Sequence, residues 1–137
     1  MIKYCQNRRT NKRVGAILRR GDSVLLIHRH KDGQEYWVLP GGGIEDEETL
    51  EEALRREVME ETSLEVLSFE LIHECPGYEG RKHFFFEVKT APDMEPVLGG
   101  PEKDNMREDN IYVLEWVDRN KAKTLVDLFP EEIREFL

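Results

Sequence analysis

Short apolar runs alternate with turn residues along this chain, and the first two runs form a pair. Residues 13–19 (RVGAILR) and 23–29 (SVLLIHR) are separated by Gly21 and Asp22, so this pattern predicts a β-hairpin. Each run is apolar on both of its alternating faces, whereas a strand with one face in water would alternate apolar and polar residues. We therefore expect a sheet that is covered on both faces.

Later runs predict more strands and a mixed architecture. The additional strands are expected at 36–39, 66–74, 83–89 and 111–117. Prolines, glycines and acids between residues 90 and 109 predict a long loop, a kind of connection that often carries function. A short C-terminal helix is expected to start at Pro130. Together with a helix in the acidic segment described next, this order predicts an α/β or α+β fold with a central mixed sheet, in one domain of residues 1–137.

An acidic segment at residues 41–62 (GGGIEDEETLEEALRREVMEET) has three glycines, and eight glutamates and one aspartate follow them. Thr49 followed by Glu52 predicts a capping box, so a helix is expected to start near Leu50. Most of the acids are expected to lie on a solvated face, as charge runs usually do.

Three glutamates in this helix break that expectation. Glu57, Glu60 and Glu61 fall within an arc of roughly 100° at about 100° per residue, and the apolar stripe of the helix overlaps that arc. Carboxylates on the inward side repel one another and lose hydration, and Arg56 alone cannot neutralise three of them. Clustered carboxylate oxygens suit Mg²⁺ or Mn²⁺, with positions left for water and phosphate oxygens. The segment therefore predicts a divalent metal site.

Composition and charge narrow the classes of function. The net charge of −9 argues against a general affinity for duplex nucleic acid. The chain has no apolar run near the roughly 18 residues of a membrane span, so no membrane partner is expected. Cys5 and Cys75 form no CxxC pattern, which favours a reduced, cytoplasmic setting.

The first 20 residues hold seven Lys or Arg and no acid, and this basic start has several interpretations. A transit peptide is disfavoured because serine is scarce and the chain passes directly into an apolar strand. A solvated chain start is favoured over an anion-binding lip. That lip would consist of Arg8, Arg9, Lys12 and Arg13.

The acidic segment also resembles a family signature. Gly42, five residues, Glu48, seven residues and then REVMEETSL from Arg56 to Leu64 resemble the Nudix box, the 23-residue signature of the MutT-like Nudix hydrolases. Eight of nine fixed positions match, and Ser63 stands where the family pattern has Gly. If this position ends the helix in a left-handed conformation, Ser costs roughly 1 kcal/mol. Outside residues 36–64 the resemblance is one of element order.

This resemblance implies an α/β/α sandwich that hydrolyses a P–O–P bond in a nucleoside diphosphate derivative with Mg²⁺ or Mn²⁺. It implies that Glu57 helps to activate water and that Arg56 and Glu48 orient the carboxylates. The implied catalytic residues are Glu57, Glu60, Arg56 and Glu48, and the implied metal ligands are Glu57, Glu60, Glu61 and a backbone carbonyl of Gly41.

Substrate-binding candidates lie mostly outside the helix. Arg29, at a strand end, is a candidate phosphate ligand, with a surface charge as the alternative. Trp37 is a candidate for stacking on a base, although a place in the core is favoured. Gly42 is expected to let the backbone approach phosphate. A further acid is expected from the loop, and Glu108 is preferred to Glu102, Asp104 and Asp109 because it directly precedes a strand.

The histidines show no zinc signature. His28 and His30 share one strand face, while a zinc site from His73, Cys75 and His83 is disfavoured because ligand-pair spacing is lacking. Surface or core histidines are expected instead.

Two functions from different classes remain. The first is a metal-dependent pyrophosphohydrolase acting on a small-molecule nucleotide. The second is a nucleotide-binding or sensing domain that keeps the fold and does not cut its ligand. The resemblance also allows a homodimer, although no sequence feature shows an interface.

Overall fold

The computed structural model describes residues 12–75, 82–99, 106 and 109–137, with the side chain of Glu132 excluded. The strands are β1 (Lys12–Arg20), β2 (Ser23–Lys31), β3 (Gln34–Val38), β4 (Gly41–Gly43), β5 (Ser68–Cys75), β6 (Lys82–Lys89), β7 (Asn110–Asp118) and β8 (Leu128–Phe129). The helices are α1 (Leu50–Thr62), α2 (Arg119–Thr124) and a 3₁₀ helix (Glu131–Phe136). None of these helices is long and apolar enough to cross a membrane.

The described strands form one mixed sheet in the order β5-β6-β1-β2-β3-β8, with β4 paired to β1 and β7 paired to β2. β1 runs parallel to β6, and β3 runs parallel to β8. The remaining pairs are antiparallel. The predicted hairpin of β1 and β2 is confirmed, as is the mixed sheet.

Helices cover both faces of this sheet, as the apolar patterning predicts. α1 packs on one face through Ala53, Leu54 and Val58, in a buried cluster that includes Leu18. On the other face Ile17 belongs to a second buried cluster with residues of α2 and the 3₁₀ helix. Neighbouring residues of β1 therefore enter different cores, because side chains alternate along a strand. The chain has an α+β fold with an α/β/α layering.

Several elements differ from the expectation. The C-terminal segment forms a 3₁₀ helix preceded by Pro130, not an α-helix. β4 consists of glycines alone, so no strand propensity marked it, and it is held by pairing with β1. α2 buries only Ala122 and has no apolar periodicity. Its available signal is Asp118, whose side chain accepts hydrogen bonds from the backbone amides of Asn120 and Lys121.

Candidate active site

Both ends of α1 are defined by side-chain hydrogen bonds. The capping box is confirmed: Thr49 Oγ1 accepts from the Glu52 amide at 3.1 Å, and Glu52 Oε1 accepts from the Thr49 amide at 2.9 Å. At the other end Ser63 is left-handed, with φ 63° and ψ 15°. Its hydroxyl donates to the Val97 carbonyl at 2.8 Å, and this bond opposes the cost of a left-handed Ser.

The carboxylates of α1 are gathered on its inner side. Glu57 is 9% exposed and Glu61 is 3% exposed, whereas the Glu60 side chain is 38% exposed. Glu61 Oε1 accepts a hydrogen bond from the Gly41 amide at 2.8 Å, which ties the helix to β4. The inward placement thus holds fully for two of the three glutamates, and Glu60 lies at the edge.

Arg56, in the middle of α1, contacts several of these groups at once. Its guanidinium donates to both carboxylate oxygens of Glu48, at 2.7 and 2.9 Å, and to Glu57 Oε1 at 2.8 Å. It also donates to the Gly43 carbonyl at 3.0 Å and lies 3.6 Å from Glu60 Oε2. Since one planar fork satisfies several fixed acceptors, Arg56 sets where the carboxylates lie.

The glycine turn permits a close approach of the backbone to Glu57. A Cβ at Gly42 would lie 2.5 Å from both Cδ and Oε1 of the Glu57 carboxylate, and one at Gly41 would lie 2.1 Å from the Val14 carbonyl oxygen. Real Cβ atoms do not approach this closely, so a side chain at either position would displace its neighbour. Glycine is therefore required there by space.

Charge in the cluster is not balanced by Arg56 alone. Burial raises the pKa of Glu57, and the positive charge and hydrogen bond of Arg56 partly oppose this effect. Hydrogen bonding from Arg56 lowers the pKa of Glu48, so that carboxylate stays ionised and keeps its hold on the guanidinium. The pKa of Arg56 is raised, chiefly by the hydrogen bond to Glu48. A single guanidinium is thus shared among three acids.

The donor set fits a hard divalent cation. Glu57, Glu60 and Glu61 present carboxylate oxygens of the kind that Mg²⁺ and Mn²⁺ prefer. Burial makes the charged form of Glu57 costly, and a cation would offset that cost. Glycine at position 42 leaves the Glu57 carboxylate unobstructed, since a Cβ there would collide with it.

A cleft of about 250 Å³ opens beside this cluster. Its polar wall includes Glu57, Glu61 and the Gly41–Gly43 turn. The rest of the wall comes from distant strands, and its side chains include Arg13, Arg29, His83, Phe85, Tyr112 and Phe129. Acids therefore line one side of the cleft, while cations and aromatic rings line the other.

Arg29 contributes to this cleft as a partly buried cation. One of its terminal nitrogens donates to Tyr112 Oη at 2.5 Å and to Asn110 Oδ1 at 3.3 Å. Its guanidinium carbon lies 4.1 Å from the centre of the Tyr112 ring. The Arg29 Nε is buried and has no hydrogen-bond partner among the described residues. Arg29 thus places a positive charge in the wall of the cleft.

Other predicted residues lie elsewhere. Trp37 does not line the cleft but stacks on His28 with ring centres 3.8 Å apart. Its neighbour Val38 lines the cleft, and side chains alternate along a strand, so Trp37 faces away. Asp109 lies near His30, in a different pocket. Glu108, Glu102, Asp104, Arg8 and Arg9 fall outside the described residues.

Apart from Arg29 and Arg13, sequence reasoning did not assign the far wall of the cleft. His83 is buried and stacks on Phe85, and burial together with the nearby Arg13 charge lowers its pKa to about 3, so the imidazole is neutral at pH 7. His83, Tyr112 and Phe129 come from β6, β7 and β8, and no local pattern links them to the acidic segment. Only the pairing of the strands brings them together.

The NUDIX domain family model matches residues 9–137, and the chain belongs to the Nudix hydrolase family. It is therefore a hydrolase, and its fold is that of the family.

The chain resembles proteins that are named for different substrates. It is 38% identical over 123 residues to an RNA pyrophosphohydrolase of Teredinibacter turnerae, an alignment covering 90% of this chain and 67% of that protein. It is 37% identical over 106 residues to an ADP-ribose pyrophosphatase of Methanocaldococcus jannaschii, covering 74% of this chain and 60% of that protein. A NUDIX-family hydrolase structure from Clostridium perfringens shares the fold, with a TM-score of 0.68, 21% identity and coverage of 95% and 94% of the two chains.

Proposed function

We propose that this protein is a Mg²⁺- or Mn²⁺-dependent pyrophosphohydrolase that cleaves a P–O–P bond in a nucleoside diphosphate derivative. The observation that carries the proposal is the cluster of α1 carboxylates that the Gly41–Gly43 turn and Arg56 hold at the wall of a cleft. Water attacks one phosphorus of the linkage, and the bond between that phosphorus and the bridging oxygen breaks. Both products then end in a phosphate group.

Glu57, Glu60, Glu61 and the backbone carbonyl of Gly41 would hold the cation. A bound divalent cation lowers the pKa of water and neutralises charge on a diphosphate. Glu57 is the residue we assign to accepting the proton of the attacking water, because its carboxylate lines the cleft and Arg56 holds it in place there.

Arg56 and Glu48 act as positioning residues in this proposal. Glu48 holds the guanidinium through two hydrogen bonds, and the guanidinium in turn holds Glu57 Oε1. A carboxylate fixed in this way loses little free energy to reorganisation when a substrate binds.

The opposite wall suits the rest of a nucleotide. Arg29 lines the cleft and is the cation that we assign to a phosphate oxygen, and Tyr112 and Phe129 offer aromatic surface for a ribose or base. The two relatives are named for different substrates, RNA and ADP-ribose, but both names describe hydrolysis of a pyrophosphate linkage. We therefore propose a small nucleotide with that linkage, and expect the enzyme to work in the cytoplasm, since Cys5 and Cys75 form no CxxC pattern.

The alternative of a non-catalytic binder rested on Ser63. The structure weakens it, because Ser63 fits the left-handed helix end and bonds to Met59 and Val97 instead of the proposed metal ligands.

The test measures release of phosphate or pyrophosphate and identifies the products. The panel contains nucleoside triphosphates, nucleoside diphosphate sugars and dinucleoside polyphosphates. The assay runs at pH 7 to 9 with Mg²⁺ and then Mn²⁺. We expect metal-dependent turnover that Glu60→Gln abolishes. Silence across the panel, combined with nucleotide-induced stabilisation of the fold, would instead support the binding domain.

A further inference from the structure

A second cluster of ligand side chains lies on the β2–β3 hairpin. His28 and His30 are two residues apart on β2, and Glu35 pairs with His30 across the hairpin. One ligand atom from each of the three lies within 4.8 Å of the others. Arg29 lies between the two histidines in sequence, so these imidazoles occupy the face of the sheet opposite to Arg29 and the cleft.

The turn of the hairpin determines this arrangement. Asp32 and Gly33 both have positive φ, at 50° and 79°, as a two-residue hairpin turn requires. Lys31 then pairs with Gln34, and His30 pairs with Glu35. The pairing of β2 with β3 therefore places these side chains next to one another, without a flexible loop.

The His28 ring is held as metal-bound histidines usually are. Its Nε2 lies 2.5 Å from Glu35 Oε1, while its Nδ1 lies 3.4 Å from Glu115 Oε2 on β7. Trp37 stacks on the same ring, with the planes 3° apart. A histidine that binds a metal through one nitrogen commonly donates its other N–H to a carboxylate, which fixes the ring and strengthens the ligand. Glu115 lies on the Nδ1 side of the ring and is the carboxylate that we assign to this role.

The distances require little change for metal binding. Ligand atoms about 2.0–2.1 Å from one tetrahedral zinc ion are about 3.4 Å apart. The spread of 4.8 Å must therefore shorten, and the 2.5 Å between His28 Nε2 and Glu35 Oε1 must lengthen, which side-chain shifts of about 1 Å achieve. The Glu35 side chain is 57% exposed, and a shallow pocket adjoins it, so an ion and its remaining water ligands have access.

We propose that His28, His30 and Glu35 form a second metal site, selective for Zn²⁺ and chemically similar divalent ions such as Co²⁺. Two imidazoles and one carboxylate suit these ions, whereas Mg²⁺ prefers sites made of oxygen ligands. The site does not depend on the proposed hydrolysis. It is separate from the α1 carboxylates, and it would leave one position open for water or another ligand.

Calorimetric titration of ZnCl₂ into the full chain tests this site, at pH 7.5 with millimolar Mg²⁺ present to occupy the carboxylates of α1. We expect one Zn²⁺ per chain. His30→Ala and Glu35→Gln should each weaken binding by about 100-fold or more, and Glu115→Gln by about 10- to 100-fold. The matched control is His73→Gln, a histidine outside the cluster, which should bind like the parent.

Two further measurements keep the test decisive. Circular dichroism establishes that each variant is folded, and His30→Ala is preferred to a change at His28 because His28 packs on Trp37. Co²⁺ absorption should show imidazole ligation that His30→Ala removes. The proposal is overturned if Zn²⁺ does not bind, if His30→Ala and Glu35→Gln bind it like the parent, or if Glu57→Gln removes it.

Discussion

The α1 carboxylates and the β2–β3 histidine cluster are both groups of metal-ligand side chains, yet they are built in different ways. In the first, Glu57 and Glu61 are buried, and Arg56, Glu48 and the glycine turn hold the oxygens in place. In the second, the His28 ring is fixed by Trp37, and Glu35 is largely exposed. The first cluster lines the cleft of about 250 Å³, whereas the second lies on the opposite face.

In the two proposals, one small fold holds two metal sites with different ligand chemistry on opposite faces of its sheet. Oxygen ligands in a buried, anionic setting select hard cations and can expose them to a bound phosphate. Imidazoles on a strand select borderline ions. The following variants, from the largest expected effect to the smallest, alter the first cluster and test whether it behaves as a unit independent of the second.

Glu57→Gln should have the largest effect. It removes the most buried charge that Arg56 contacts while nearly keeping the shape of the side chain. We expect turnover to fall by roughly 10³-fold or more, since a proposed ligand and base are lost together. Steady-state kinetics with Mg²⁺ measures this loss. Zn²⁺ titration of the same variant should match the parent, and a parallel loss of both properties would show that the two clusters are not separate.

Gly42→Ala should disable the first cluster without any change of charge. Its Cβ would lie 2.5 Å from the Glu57 carboxylate and push it away from its present position. We expect kcat to fall by about 100-fold or more, because small misplacements at a reacting centre are costly. The assay is metal-dependent product release.

Gly21→Ala is the matched control for that variant. Gly21 has φ +57° and open space around it, so alanine there costs roughly 1–2 kcal/mol of stability through backbone strain. Urea unfolding should record this loss while turnover stays at the parental value. If Gly42→Ala instead lost stability and kept its turnover, the close approach to Glu57 would have no catalytic role.

Arg56→Lys should have an intermediate effect. Lysine keeps the positive charge but cannot donate to Glu48, Glu57 and the Gly43 carbonyl at once. We expect turnover and Mn²⁺ affinity to fall by about 10- to 100-fold, the range for outer groups that orient metal ligands. Arg55→Lys is the control, because Arg55 is adjacent in sequence but pairs with the exposed Glu51. Equal effects of the two variants would contradict the positioning role.

Changes at Ser63 should have the smallest effect. Ser63→Gly relieves left-handed strain of roughly 1 kcal/mol but loses a hydrogen bond of about 0.5–1.5 kcal/mol to Val97, so stability should change little. Ser63→Ala loses the bond without relieving the strain and should be destabilised by about 1 kcal/mol. Thermal unfolding distinguishes the two variants. A loss of turnover in either would mean that this helix end influences the carboxylates.

The extent to which sequence predicts these clusters follows from how far apart their residues are in the chain. Glu57, Glu60 and Glu61 could be identified because helical spacing places i, i+3 and i+4 on one face. The capping box was predicted for the same reason, since Thr49 and Glu52 are close in sequence. Local periodicity was sufficient for both.

Arg29 apart, the residues that complete the far wall of the cleft could not be predicted, because their place there depends on strand order. Tyr112 reaches Arg29 through pairing of β7 with β2, and Phe129 reaches Val38 through a two-residue strand. The histidine cluster is intermediate in how far the sequence could predict it. Asp32-Gly33 is a strong hairpin-turn signal, and the register that it sets would have placed His30 opposite Glu35.

The most direct test of the central claim is Mn²⁺ binding followed by electron paramagnetic resonance, in the parent chain, Glu57→Gln and Glu51→Gln. Glu51 lies on the same helix, but its side chain is 52% exposed and pairs with Arg55. The account predicts that the parent and Glu51→Gln bind Mn²⁺ alike and that Glu57→Gln loses most of the affinity. Equal Mn²⁺ binding by Glu57→Gln and the parent would contradict the assignment of the α1 carboxylates as the metal site.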